Sequence, residues 1–225
     1  LTDDVKPLRY LQCIVILGIC FLNDLCNIDS DLLDGSTVFQ TANGKDRIYV
    51  MPYSSNAVMW QLSCPMAESE AKELSAKGAF ALKEVALKRL QWHSPIPQII
   101  AATDASYISG YPVYDREILD SELEENGANV TVIGDAAHPM SPFKGQGANQ
   151  ALLDALALAQ KIYSTFHYKG WKKDELRAQL LTPFEKEMME RSSVKVKDSA
   201  AAVEVLHSMK VFEGGDQPRG LKKKK

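Results

Sequence analysis

The 225-residue chain lacks the features that mark a membrane span, a disulfide scaffold or a polyelectrolyte. Its longest apolar run, Leu11 to Leu22, is twelve residues and includes Gln12 and Gly18. A hydrocarbon layer needs about 20 such residues, so no transmembrane segment is expected. Asp3 and Asp4 ahead of the run, and no small-residue cleavage site behind it, speak against a secretory signal. Four cysteines, Cys13, Cys20, Cys26 and Cys64, are too few for a disulfide scaffold and match no metal-knuckle spacing. Reduced thiols, no metal and a cytoplasmic location are therefore expected. Neither sign of charge dominates, since 26 basic and 29 acidic side chains leave −3 at pH 7. That balance excludes a generally basic nucleic-acid binder. With 45% hydrophobic and 24% charged residues, wholesale disorder and a fibrous repeat are excluded too. The Asn129-Val130-Thr131 sequon opens an apolar stretch and reads as chance, and Lys222 to Lys225 as a solvated end.

What remains is enough chain for a substantial core, arranged in zones of different period. The run Leu11 to Leu22 reads as a buried strand ended by Asn23 and Asp24. A short extended piece, Thr37 to Thr41, precedes the turn Asn43-Gly44, and Arg47–Pro52 and Ala57–Leu62 form a hairpin around Ser54-Ser55-Asn56. Because strand side chains alternate, Val58, Trp60 and Leu62 share one face, and Met59 and Gln61 the other. Ala67 to Leu90 is rich in helix formers and broken by Gly78, while Pro95 and Pro97 stop helix formation. Tyr107 to Asp115, rich in aromatics and proline, reads as a loop leading into an acidic stretch through Asn126-Gly127.

The last zone opens with the apolar strand Val130 to Ile133, then Gly134-Asp135, a Pro/Gly-rich loop, and a helix from about Gln146 to Phe166. In that helix Leu152, Leu156, Ala159 and Tyr163 fall at helical spacing and read as the buried face. Helices Lys172 to Leu181 and Pro183 to about Ser208 follow, with Thr182 capping the second and Glu185 at its third position. The resulting domain scheme is a strand-rich region with a helical insertion over residues 1–120, then strand, loop and helix over 121–168. Terminal helices fill 169–213, and 214–225 form a loose basic tail.

Chemistry concentrates in one segment, G-D-A-A-H-P-M-S-P-F-K-G-Q-G-A-N-Q from Gly134 to Gln150. An Asp at the carboxyl end of a strand points into the crevice where open sheets bind ligands, and can accept hydrogen bonds from a sugar alcohol. Gly145 and Gly147 let backbone approach a ligand without a Cβ in the way, and the helix that starts there presents unpaired N–H groups to an anion. His138 has no second metal ligand at usable spacing, so a loop-stabilising hydrogen bond is expected of it.

The pattern G-D-A-A-H-x-x-x-P-x-x-G-x-G-x-N resembles the second FAD-binding motif of the class A flavoprotein monooxygenases, the aromatic hydroxylases related to p-hydroxybenzoate hydroxylase. A looser resemblance covers Arg47 to Met66, Tyr111 to Arg116, and the helices to about Ser208. It implies a mixed α+β fold: part of a Rossmann-like FAD-binding domain, a strand-rich substrate domain and carboxyl-terminal helices. By resemblance Asp135 binds the ribityl chain of FAD, and Gly134 and Ala136 pack at the ribityl and pyrophosphate side. Gly145 opens the loop, and the backbone of Gly147, Ala148 and Asn149 faces the flavin pyrimidine edge. Pro142 matches the position beside the reactive ring, or only stiffens the loop. Met59, Trp60 and Gln61 are candidates for a substrate wall, with core packing the alternative for Met59 and Trp60, and Arg116 either nears the flavin or makes a structural ion pair.

The family's opening G-x-G-x-x-G is absent, since Gly145-x-Gly147 continues to Gln150, and Asp34-Gly35 is a dipeptide in a turn. The resemblance then implies a carboxyl-terminal portion of an FAD-dependent monooxygenase that binds FAD weakly unless an N-terminal fragment completes the site. Such an enzyme uses NAD(P)H and dioxygen to oxygenate a small organic, aromatic substrate. The alternatives are a reductase or halogenase sharing the motif, and a non-catalytic interaction module.

Overall fold

The apolar run near the start forms a long strand, β1 (Arg9–Phe21), whose Ile14, Val15 and Ile16 are wholly buried in succession. Three consecutive buried side chains require cover on both sheet faces, and each contributes about 1.5–3 kcal/mol of burial free energy. A 3₁₀ turn, Leu22–Asp24, ends the strand. The computed structural model describes residues 7–25, 28, 30–89, 92–117, 129–169 and 175–213. Cys26, the acidic stretch at 118–128, the start of the helix expected from Lys172, and the tail from Gly214 lie outside them.

The expected hairpin is present as β3 (Arg47–Ser54) and β4 (Ala57–Pro65), with β2 (Phe39–Ala42) antiparallel to β3. Asp34 caps the turn before β2, its carboxylate accepting the N–H groups of Ser36 and Thr37. β1 pairs antiparallel with β4, and β5 (Ile108–Asp115) completes a five-stranded sheet of order β2-β3-β4-β1-β5. Tyr107 to Asp115 is therefore largely a strand where a loop was expected. β5 lies at the sheet edge, where Pro112 can be accommodated without breaking a central ladder.

One sheet face is buried by Ile14, Ile16, Ile48, Val50, Trp60 and Leu62. Trp60 Nε1 donates to Thr103 Oγ1 at 2.9 Å, and that hydroxyl donates to Ile99 O at 2.7 Å, so the helix α3 (Ile96–Ala102) covers this face. Gly18 lies opposite Trp60, and a Cβ there would come within 2.7 Å of the indole. The strand gives up a side chain at this point, which leaves room for the ring.

Helices α1 (Glu68–Lys77) and α2 (Ala79–Lys88) meet at Gly78, whose φ of +80° suits a residue without Cβ. The expectation that Pro95 and Pro97 stop helix formation is corrected. α3 begins at Ile96, with Pro97 in its first turn, where the missing N–H has no helical partner to lose.

Beyond the sheet come α4 (Gly147–Ser164), which runs on into a π-helical turn at Thr165–Lys169, and α5 (Thr182–Leu206), preceded by a π-helical turn at Arg177–Leu181. Thr182 has helical φ and ψ of −57° and −48°, so it continues the helix and does not cap it. The widened turn ahead of Pro183 relieves the clash of its ring with the preceding turn. Glu185, expected in a capping box, instead accepts from Arg177 Nη2 at 2.7 Å.

Two compact units result, one from the described residues of Leu1–Leu11 and Tyr114–Val203, the other from those of Gln12–Val113 and Glu204–Lys225. The first has its core at Ala137, Phe184 and Met188, against which Val132, Ile133, Ala157, Leu158 and Met189 pack. Val130 to Ile133 is not a laddered strand as expected. Ile133 is extended, yet among the described residues no neighbouring strand pairs with the segment. The face assigned to α4 is also corrected, because Leu152 is 70%, Leu156 55% and Tyr163 59% exposed, with Ala159 exposed as well. Gln150 and Asp154 are its buried residues.

Candidate functional site

Gly134 begins a 3₁₀ turn, Gly134–Ala136, with a φ of +61° that a side chain would resist. The turn lies directly on α4, since a Cβ on Gly134 would sit 3.2 Å from Ala151 Cβ. Asp135, next in the chain, is exposed and not drawn into the core. Its Oδ1 lies 3.8 Å from the point a Gly147 Cβ would occupy, so the carboxylate stands beside the first residue of α4.

The loop between them is built from a second 3₁₀ turn, Pro142–Lys144, closed by Gly145 in the left-handed region at φ +61° and ψ +34°. Phe143 is buried and anchors the loop, while Pro142, Gly145, Ala148 and Asn149 are exposed. The first helical hydrogen bond of α4 closes from Gln150 N–H to Gln146 O, and among the described residues no side chain caps the helix. The amides of Gly147, Ala148 and Asn149 are thus the uncapped, positive end of an eighteen-residue helix, next to the Asp135 carboxylate. A ligand carrying both donors and acceptors suits that pairing: hydroxyls for the carboxylate, carbonyl or anionic oxygen for the amides. A Cβ at Gly147 would stand 3.8 Å from Asp135 Oδ1, between the carboxylate and the helix start.

Beneath this surface lies a buried polar network that the sequence reading missed. Asp154 Oδ2 accepts the Gly134 N–H at 2.9 Å and lies 2.7 Å from His138 Nε2. Its Oδ1 accepts from Arg191 Nη2 at 2.9 Å, and Arg191 also donates to Gln150 Oε1 and Glu187 Oε1. Burial works to raise the Asp154 carboxyl, but the Gly134 N–H, Arg191 and His138 outweigh it and hold the group below its ordinary value. His138 is wholly buried in this network. Gln150 and Asp154, polar at i and i+4 in an Ala/Leu-rich helix, were the available signal.

Asp135, Gly145, Gly147, Ala148 and Asn149 come together around the start of α4, with Gly134 and Ala136 in the adjoining turn. Arg116 belongs to the same unit, its Nη1 donating to Ala136 O at 3.3 Å, and its N–H to Pro139 O. Met59 and Gln61 lie in the sheet of the other unit. They occupy its half-exposed face, opposite Met51 and Tyr49 on one neighbour and Ile19 and Leu17 on the other. Trp60, between them in sequence, is core. Among the described residues no helix is long and apolar enough to cross a membrane.

Comparison with known proteins gives this geometry a family. The profile of the FAD binding domain matches residues 23–192. The chain is 33% identical over 114 residues to the aurachin C monooxygenase/isomerase of Stigmatella aurantiaca, covering 51% of the chain and 28% of that protein. It is 40% identical over 67 residues to the 3-amino-4-hydroxybenzoate 2-monooxygenase of Streptomyces cremeus, covering 30% of the chain and 16% of that enzyme. Klebsiella pneumoniae HpxO, solved with FAD and uric acid, shares the fold at a TM-score of 0.71 and 19% identity, over 92% of this chain and 48% of its own. An FAD-containing monooxygenase from Photorhabdus luminescens superposes with a TM-score of 0.74 and 20% identity, over 90% of this chain and 56% of its own. The chain thus spans about half the length of these two solved structures. By the match over residues 23–192 and its monooxygenase relatives, the chain belongs to the FAD binding domain family of flavoprotein monooxygenases.

Proposed function

We propose that this chain is the carboxyl-terminal portion of an FAD-dependent monooxygenase that oxygenates a small aromatic substrate. The observation that carries the proposal is the Asp135 carboxylate beside the uncapped amides of α4, with glycine at the point of closest approach. Asp135 would accept hydrogen bonds from the ribityl hydroxyls, and the N–H groups of Gly147, Ala148 and Asn149 would face the pyrimidine edge. When bound, FAD supplies the redox chemistry, with NAD(P)H as reductant and dioxygen as the source of the inserted oxygen atom.

The residues of the chain bind, orient and exclude water. The positive end of α4 stabilises negative charge near it by about 0.3–1 kcal/mol, more where the site is dry. Pro142, exposed at the start of its 3₁₀ turn, would offer a bound flavin an apolar surface without an N–H. Arg116 ties down the Asp135 turn through Ala136 O. Met59 and Gln61, from the half-exposed sheet face, offer an apolar and an amide contact to a flat organic substrate. The uric acid bound to HpxO and the aminohydroxybenzoate named for the Streptomyces enzyme favour a planar, heteroatom-bearing aromatic ring.

An N-terminal fragment would complete the FAD site. The exposed stripe Leu152, Leu156 and Tyr163 on α4 supports this, because large apolar side chains at helical spacing suit a covering partner. The test is titration of the chain with FAD, alone and with an N-terminal flavoprotein fragment containing G-x-G-x-x-G. Quenching of flavin fluorescence and a shifted visible band are expected, more strongly with the fragment. No change in either case would favour a non-catalytic interaction module. Substrate-stimulated NAD(P)H oxidation yielding an oxygenated product would separate a monooxygenase from a reductase or halogenase.

A further inference from the structure

Asp154 sits seven residues beyond Gly147 in α4, two helical turns behind the surface described above, and its side chain is wholly buried. Removing a carboxylate from water costs several kcal/mol unless its lone pairs are filled, and a well-packed apolar side chain would often serve stability as well. Here the charge is kept and fully engaged. Its donors come from three places in the chain: the Gly134 amide, the His138 ring in the same loop, and Arg191 on α5. Because an ionised carboxylate only accepts, the proton of the His138–Asp154 contact lies on Nε2.

We propose that Asp154 is a positioning residue of the flavin site, fixing through Gly134 and His138 the turn that presents Asp135 to the cofactor, with Arg191 as its counter-charge. The proposal rests on the FAD reading above. Asp135 is one peptide from the Gly134 amide that Asp154 holds, and the turn lies close on α4, where a Cβ on Gly134 would come within 3.2 Å of Ala151 Cβ. His138 closes the same turn, its N–H donating to Gly134 O at 2.9 Å, so carboxylate, ring and backbone form a closed loop under Asp135. A second tie, from Ser141 Oγ to Ser199 O on α5 at 2.8 Å, holds the far side of the loop. The network touches neither the exposed carboxylate nor the uncapped amides directly. It acts by setting the distance between them.

The experiment titrates the full chain with FAD, following flavin fluorescence and the visible spectrum, and compares it with Asp154→Asn. The asparagine keeps the size but not the charge, and its one oxygen can serve the Gly134 amide and His138 only if its NH₂ is turned, donor against donor, toward Arg191, so one side of the network is left unpaired. The Kd for FAD is expected to rise about tenfold, because small misplacements of positioned groups are costly, with a changed visible band. Measured well below Tm, a merely structural residue would lower Tm and leave Kd and spectrum unchanged, which would overturn the proposal. Arg191→Lys should retain binding within a few-fold, and Arg191→Met should lose it as Asp154→Asn does. Equal binding in both would also overturn it. If Asp154→Asn does not fold, His138→Phe removes one donor with a ring in place, and the same rise in Kd is expected. Failure of the unaltered chain to bind FAD, with or without the N-terminal fragment, would instead sink the FAD reading. In that event an unchanged ¹⁵N signature of the Nε2-protonated His138 in Asp154→Asn would remove the positioning role as well.

Discussion

Gly147→Ala separates what the fold needs from what a ligand needs. A Cβ built on Gly147 meets nothing closer than Asp135 Oδ1 and Met140 Cγ, both at 3.8 Å, which is ordinary contact distance. Gly147 is also the first helical residue, with no left-handed backbone to strain. The protein should therefore accept alanine without repacking, and gain up to about 1 kcal/mol from the better helix former. In a chain of this size that is a rise in Tm of about 2–4 °C. The effect on FAD has the opposite sign. A methyl group in front of the amide prevents close approach, and an unmade hydrogen bond at a desolvated polar group costs about 1–3 kcal/mol. Since 1.4 kcal/mol is tenfold, Kd should rise by about five- to 150-fold. Thermal melts followed by circular dichroism and flavin fluorescence titrations measure the two quantities on one preparation. A variant as stable as the parent, with Kd for FAD unchanged within about twofold, would refute the argument that ligand occupies the space over Gly147.

Three further outcomes follow from other parts of the molecule. Gly18→Ala drives a methyl into the Trp60 ring, which is wholly buried and tied to Thr103, so about 1–3 kcal/mol should be lost, with a blue- or red-shifted tryptophan emission. An unchanged Tm and spectrum would mean the indole has room to move. Burial pushes the Cys13 thiol up to about 12 and the Cys64 thiol up to about 11, so neither should react with a thiol reagent at pH 8 until the chain unfolds; mass mapping of adducts on the native protein checks this. Asp154 gives an acid signature. Its carboxyl is lower in the folded than in the unfolded chain, so its contribution is complete above the ordinary value of 3.8 and is lost as pH falls through the lower folded value. Urea denaturation of the parent should weaken below about pH 4 more steeply than that of Asp154→Asn, and parallel curves would contradict the assignment.

The parts of the fold that could be read from the sequence are those fixed by neighbours in the chain. Alternation in Ala57 to Leu62 placed Trp60 inward and Met59 outward, and Gly78 separated two helices because its backbone lies where side chains strain. The motif glycines and Asp135 were legible for the same reason, since turn, loop and helix start are local. What failed depended on distant partners. The periodicity of α4 identifies a helix but does not say which of its sides will be covered, and Leu152, Leu156 and Tyr163 face solvent while Gln150 and Asp154 are buried. Those two polar residues are satisfied by Gly134, His138 and Arg191, between 16 and 41 positions away. Val130 to Ile133 has the composition of a strand, but a ladder needs a second strand, and none among the described residues supplies it. Pro112 argued for a loop until its edge position was known.

The leucines that α4 turns to water have a practical consequence. Greasy side chains spaced for a neighbour will find each other when none is offered, so the solution behaviour of the chain should be colloidal at high concentration and worsen with kosmotropic salt. Light scattered by such clusters would mimic a spectral change during a cofactor titration. Leu152→Lys and Leu156→Lys, placed on that outward stripe, would keep the chain monodisperse when it is titrated alone, and should weaken FAD binding only where the N-terminal fragment is added and has to dock there.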